Sequence, residues 1–143
     1  MSTVVDVNHL VDISNVERRL QKKLNMDESS MNNLSLEYKK FLYLAKLHPK
    51  VYLVPGPLVD EVWHDHILHT EQYMEDCQNL FGKYMHHAPS TTEGPEDISE
   101  TFHLYSSTFG MEPPTDIWSC AGSKCTNCCG NTCGRTCSNC TVK

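Results

Sequence analysis

The sequence predicts an all-α protein: a small bundle of about four helices followed by a C-terminal cysteine-rich irregular module. Three observations carry this. Apolar residues recur at three- and four-residue spacing through most of the first 118 residues. The short β-branched run Val51-Tyr52-Leu53-Val54 has no partner run, so it reads as extended coil. Seven of the eight cysteines lie beyond Ser119, a density that no packed core needs. The expected division is therefore a helical domain over 1–118 and a cysteine-rich tail over 119–143.

The first helix is expected over about 15–25. Ser14-Asn15-Val16-Glu17 has the form of a capping box, and Val16, Leu20 and Leu24 follow at four-residue steps. Residues 27–33 read as a polar link. A second helix then starts near Leu34 or Ser35, with Leu34, Tyr38, Phe41, Leu42 and Ala45 on one face. It must end at His48, because the residue before Pro49 is pushed out of the α region.

Pro55-Gly56-Pro57 closes the extended segment and opens a third helix, about 58–81. Pro57 suits a first turn, and Asp60 and Glu61 complement the positive end of the helix dipole. Gly82 is placed to end it. Residues 88–95 read as a loop, and a fourth helix of about 95–109 carries Ile98, Phe102, Tyr105 and Phe109 up to Gly110. Pro113-Pro114 and Ile117-Trp118 read as a coil that returns Trp118 to the bundle.

Charge narrows the function classes. The chain carries −6, while the segment from Ile117 onward has Lys124, Arg135 and Lys143 and no acid, so the body before it carries −9. An acidic body argues against a nucleic-acid partner. No run approaches a membrane span, and Asp6 and Asp12 interrupt the N-terminal stretch, so no signal peptide is read there. The expectation is a cytoplasmic protein with an unidentified protein partner. Packaging into a virus particle would change the redox setting.

The third helix holds the densest polar chemistry of the body, Asp60-Glu61-Val62-Trp63-His64-Asp65-His66-Ile67-Leu68-His69. At 100° per residue, one arc takes Val59, Val62, Trp63, His66, Thr70, Tyr73, Cys77, Leu80 and Phe81. That arc faces the core, so His66 reads as a hydrogen-bonded core histidine. Cys77 sits mid-helix in the same apolar arc, a place that leaves a thiol inert and argues against a Cys77–His66 catalytic pair. Asp60, His64 and Glu71 fall on another side, and His69 at its edge.

Asp60 and His64 are i,i+4 neighbours, a spacing at which a carboxylate and an imidazole can share a metal. A chain turning at Gly82 could bring His86 or His87 back to them. Asp60, His64 and one or both of His86 and His87 are thus the candidate ligands of a body site. Zinc is the expected ion, with copper and iron compatible with the same donors.

The string Val59-Asp60-Glu61-Val62-Trp63-His64-Asp65-His66-Ile67-Leu68-His69-Thr70, then Tyr73, Asp76-Cys77, Phe81-Gly82 and His86-His87-Ala88-Pro89, resembles the glycine-rich domain-containing protein-like family. That family's hallmark is VDxxWHxHILxTxxYxxDCxxxFG followed by HHxP. The resemblance covers about 34–118 well and the tail loosely. It implies that Trp63, His64, Thr70, Tyr73, Cys77, His86 and His87 form a signature, and it assigns none of them a chemistry. The tail departs from the family by carrying Thr, Asn, Lys and Arg where many glycines would stand.

Within the tail, Cys125-x2-Cys128 and Cys137-x2-Cys140 are four thiols that can surround one zinc. Cys120, Cys129 and Cys133 are alternative ligands, and together the seven could hold a small cluster of soft ions. In a reducing compartment metal is favoured over disulfides, and an oxidising particle would reverse that.

The sequence therefore points to a metal-binding protein that works by interaction or metal handling and is not expected to be catalytic. One alternative is a metal-dependent enzyme around His64 and His86 or His87, with Glu61 or Asp60 as base beside a metal-bound water. Another is a disulfide-stapled structural or virion-packaged protein.

Overall fold

A computed structural model describes residues 6–87 and 98–118. Among them are six helices and no strand: α1 Ser14–Lys23, α2 Glu28–Leu47, α3 Pro57–Leu68, α4 Thr70–Phe81, α5 Ser99–Phe109 and α6 Thr115–Trp118. The all-α expectation holds. The loop expected over 88–95, the start of the fourth helix at 95 and the cysteine tail lie outside the described residues.

The described residues fall into two compact units. The first, within Met1–Tyr52 and Val59–His87, contains α1, α2, most of α3, and α4. Its core is built from Ile13, Val16 and Leu20, from Leu34, Tyr38, Phe41 and Leu44 of α2, and from Val62, Trp63, Tyr73 and Cys77. The second, within Leu53–Leu58 and Ala88–Lys143, centres on Leu53, Thr101, Tyr105, Ile117 and Trp118.

The expected capping box at Ser14 does not form. Ile13 occupies the cap position without a side-chain bond, and Ser14 is the first helical residue. The Ser14 amide donates to Asp12 Oδ1 at 3.1 Å, and Glu17 instead accepts from the Ser35 hydroxyl at 2.5 Å. Ile13 is 1% exposed. Burying such a side chain contributes about 1.5–3 kcal/mol, against about 1 kcal/mol for a cap, so packing sets the start of α1. Its end is a Schellman turn: Asn25 is left-handed at φ 52°, Met26 N–H donates to Gln21 C=O and Asn25 N–H to Lys22 C=O.

The polar link expected over 27–33 is helix. Asp27 caps α2 by accepting the Ser30 amide at 2.7 Å, and Met31 is buried. That bond holds the Asp27 carboxyl below its ordinary range. The end of α2 at Leu47 agrees with the Pro49 argument, and Val51–Val54 is not strand. Lys46 reaches from α2 to donate to the Leu80 carbonyl at the end of α4, where a cation suits the helix dipole.

The single helix expected over 58–81 is two. His69 interrupts it at φ −85°, ψ 73°. In an unbroken helix the His69 amide would bond to the Asp65 carbonyl. The His69 ring takes that oxygen through Nδ1 at 2.9 Å, and the amide turns to the His66 carbonyl at 3.1 Å. The break rotates α4 relative to the predicted wheel. Thr70, placed on the core arc, is exposed, and Glu71 does not join Asp60 and His64. Tyr73, Cys77 and Leu80 remain buried.

Gly82 and Gly110 end α4 and α5 in left-handed conformations, φ 74° and 70°. The segment after Pro114 is a short helix and not coil. It buries Trp118 against Phe102 and Tyr105 of α5. Gly56 meets the Trp118 backbone so closely that an added Cβ would lie 2.9 Å from its Cα and its carbonyl oxygen. Val54 N–H donates to Thr101 Oγ1 at 3.0 Å, tying the extended segment to α5.

Candidate metal centre

Asp60 lies in the first turn of α3 and His64 one turn later. Their i,i+4 spacing puts His64 Nε2 3.3 Å from Asp60 Oδ2. Beyond Gly82 the chain doubles back, and His87 Nε2 comes within 2.7 Å of the other carboxylate oxygen, Oδ1. One carboxylate thus holds two imidazoles. The rings of His64 and His87 stack with centroids 4.8 Å apart, and one donor atom from each of the three residues lies within 4.8 Å of the others.

Two nitrogens and one oxygen at this separation form a donor group that could hold a metal ion. The side chain of His64 is 55% exposed, that of Asp60 30% and that of His87 13%, so the group opens to solvent on the His64 side. The two nitrogens now facing Asp60 are the atoms a metal would claim, with release of any proton they carry.

His87 is held from behind. Its ring lies on the indole of Trp63, centroids 3.8 Å apart and planes 5° from parallel. Trp63 Nε1 donates to the Tyr73 hydroxyl at 2.9 Å, and Tyr73 donates to the Met85 carbonyl at 2.6 Å. The His87 Nδ1 is buried without a hydrogen-bond partner.

His86 is turned elsewhere. It is exposed, and its ring packs edge-on to Tyr84 at 4.8 Å. Of the two adjacent histidines, the structure brings His87 to Asp60 and His64 and leaves His86 outside. Glu61 reaches Lys23 at 3.7 Å. The candidate tail ligands Cys120, Cys125, Cys128, Cys129, Cys133, Cys137 and Cys140 lie outside the described residues.

A second network stands behind the first. His66, 1% exposed, places Nδ1 2.7 Å from the Tyr38 hydroxyl and Nε2 2.8 Å from Asp76 Oδ2. A neutral ring donating from Nε2 to the carboxylate and accepting the tyrosine proton at Nδ1 satisfies all three groups. Burial lowers the His66 pKa, with Asp76 opposing, and burial drives the Tyr38 hydroxyl well above its ordinary range. Gln72 bonds both Asp76 and the Asp12 carbonyl, and accepts from Asn15, so the network runs from the core to α1. His66 is the satisfied core histidine expected from its arc.

Cys77 is buried, and burial raises its thiol pKa, which leaves it a poor nucleophile. Asp65 was not singled out by sequence, yet its side chain is fully buried and paired with Arg19, 46 residues earlier. Nothing in the spacing of the α3 string marks it, since its partner is on α1.

A model of the UCP032817-like family matches residues 8–102. Over 83 residues the chain is 34% identical to "Glycine-rich domain-containing protein 1" of Arabidopsis thaliana, a match covering 51% of this chain and 10% of that protein. Over 54 residues it is 39% identical to "Glycine-rich domain-containing protein 2" of the same plant, covering 35% of this chain and 7% of that protein. The chain therefore spans about a tenth or less of the length of these curated relatives. No solved structure matches it. The relatives' names agree with the resemblance carried by the string from Val59 to Pro89, and the family match takes in all of α1 to α4. The chain belongs to the UCP032817-like family of glycine-rich domain-containing proteins.

Proposed function

We propose that this is a metal-binding protein whose body site is formed by Asp60, His64 and His87, with zinc as the ion. It works by interaction or metal handling. The observation that supports this is the return of His87, from beyond the end of α4, onto a carboxylate already shared with His64. Three donors from two separate segments converge, and one carboxylate organises both rings. Zinc suits the set because it accepts imidazole nitrogen and carboxylate oxygen donors, and its filled d shell imposes no geometric preference of its own.

The cysteine-rich segment is the proposed second metal module, with Cys125, Cys128, Cys137 and Cys140 as its first set of ligands. Three donors at the body site leave a fourth coordination position, which is what a hydrolytic centre would need. Glu61 is drawn to Lys23 and Asp60 is engaged by both histidines, so neither supports the role of a free base. The non-catalytic reading is therefore preferred.

Elemental analysis tests the proposal on protein purified without a histidine tag. Wild type is compared with His64→Ala, with His87→Ala, and with a full chain whose seven cysteines from Cys120 to Cys140 are serine. The expected result is about one zinc retained by the serine variant and lost on either histidine substitution. Zinc content untouched by both histidine changes sinks the body site. Zinc unchanged in the serine variant sinks the tail module.

A further inference from the structure

His87 lies five residues past Gly82, outside any helix, so nothing regular holds it against Asp60. What holds it is visible two residues earlier. The Met85 carbonyl accepts from the Tyr73 hydroxyl at 2.6 Å. Tyr73 lies on α4 and is 1% exposed. The Tyr73 oxygen is itself fixed by Trp63 Nε1 at 2.9 Å, and the Trp63 ring then backs His87 face to face at 3.8 Å. The circuit closes: Trp63 to Tyr73, Tyr73 to Met85, along the chain to His87, and back to Trp63 by stacking.

We propose that Trp63 and Tyr73 are positioning residues that set the metal affinity of the site by fixing His87, Tyr73 through the Met85 carbonyl and Trp63 by stacking. Neither offers a donor to the ion. Each removes freedom from the one ligand that secondary structure does not place. This rests on the reading of Asp60, His64 and His87 as a metal site. A ligand on a tethered loop loses conformational freedom when the ion binds, and prior fixation removes that cost. Partners that orient a ligand in this way are typically worth 10–100-fold in affinity.

The test measures zinc affinity by chelator competition, well below the melting temperature, in the full chain with the seven cysteines from Cys120 to Cys140 replaced by serine. Tyr73→Phe, His87→Ala and the double variant form a thermodynamic cycle, with His64→Ala as control. The expected result is about a 10–100-fold loss for Tyr73→Phe. In the His87→Ala background, where Asp60 and His64 leave a weaker affinity that is read at raised zinc, Tyr73→Phe should cause no further loss. A purely structural role for Tyr73 would weaken both backgrounds equally, and that outcome overturns the proposal. So does an affinity for Tyr73→Phe unchanged from the parent while His64→Ala abolishes binding. If His64→Ala also leaves affinity unchanged, the metal reading itself falls, and the positioning proposal with it. Should Tyr73→Phe fail to fold, Trp63→Phe takes its place in the cycle with the same outcomes.

Discussion

The imidazole of His87 lies flat on the indole of Trp63, with ring centroids 3.8 Å apart and planes 5° from parallel. A loop residue and a helix residue thus share one face. An ion bound at His87 would sit beside a fluorophore. Adding Co2+, a paramagnetic quencher, should dim tryptophan emission in the serine-tail chain and leave it unchanged in His64→Ala. Equal quenching in both would place the ion elsewhere.

Zinc should stabilise the first unit by mass action. At free zinc one hundred times the dissociation constant, the gain expected is about 2.7 kcal/mol. Thermal unfolding of the serine-tail chain with increasing zinc checks this, and a midpoint that does not move counts against the site.

The buried Asp65 carboxylate depends on Arg19. Its Oδ2 already lacks a partner. Removing the guanidinium leaves a buried charge uncompensated, which costs about 3–5 kcal/mol where both partners are buried. Arg19 is half exposed, so solvent can reach the vacated space and the expected loss for Arg19→Met is lower, roughly 2–3 kcal/mol. Urea unfolding measures it. The double change Arg19→Met with Asp65→Leu should recover much of the loss.

His66 gives stability a defined pH dependence. Burial lowers its pKa in the folded protein, so the unfolded chain takes up a proton first as pH falls. The contribution is complete above the unfolded value of about 6.5 and is lost as pH falls from there through the folded value. The slope attributable to this group cannot exceed about 1.4 kcal/mol per pH unit, one proton's worth. His66→Gln should flatten stability between pH 7 and pH 5 by that component. An identical slope in both proteins assigns the titration to another group.

Two glycines should respond to alanine for different reasons. At Gly56 the new Cβ would lie 2.9 Å from backbone atoms of Trp118, which cannot move as a side chain tip can. A cost of about 1–3 kcal/mol is expected, as for other overpacked sites. At Gly82 there is open space, and only the left-handed backbone at φ 74° opposes the change, at about 1–2 kcal/mol. Gly56→Ala should therefore also perturb near-ultraviolet signals from Trp118, and Gly82→Ala should not.

Much of the fold was legible because its signals are local. Pro49 ends α2 through sterics, and Gly82 and Gly110 end α4 and α5 through their dihedral freedom. The Asp60–His64 pair followed from helix geometry alone. What sequence did not show depends on distant partners or on competition for one atom. The helix break at His69 arises because a side chain and an amide contend for the Asp65 carbonyl. The burial of Asp65 requires Arg19 on another helix. The capping box at Ser14 yielded to the burial of Ile13 and to Ser35. The choice between His86 and His87 could not be read from two adjacent identical letters, since it is made by Tyr73 at Met85.

That last contact has a consequence for how positions can vary. Tyr73 holds the carbonyl oxygen of residue 85 and not its side chain. Any amino acid offers that oxygen, so the identity of residue 85 is nearly free while its distance along the chain from residue 87 is fixed. Replacing Met85 by leucine or glutamine should be tolerated. Inserting a single residue between 85 and 87 would swing a different ring, or none, onto Trp63. In this stretch of chain, spacing is the constrained quantity and lettering is not.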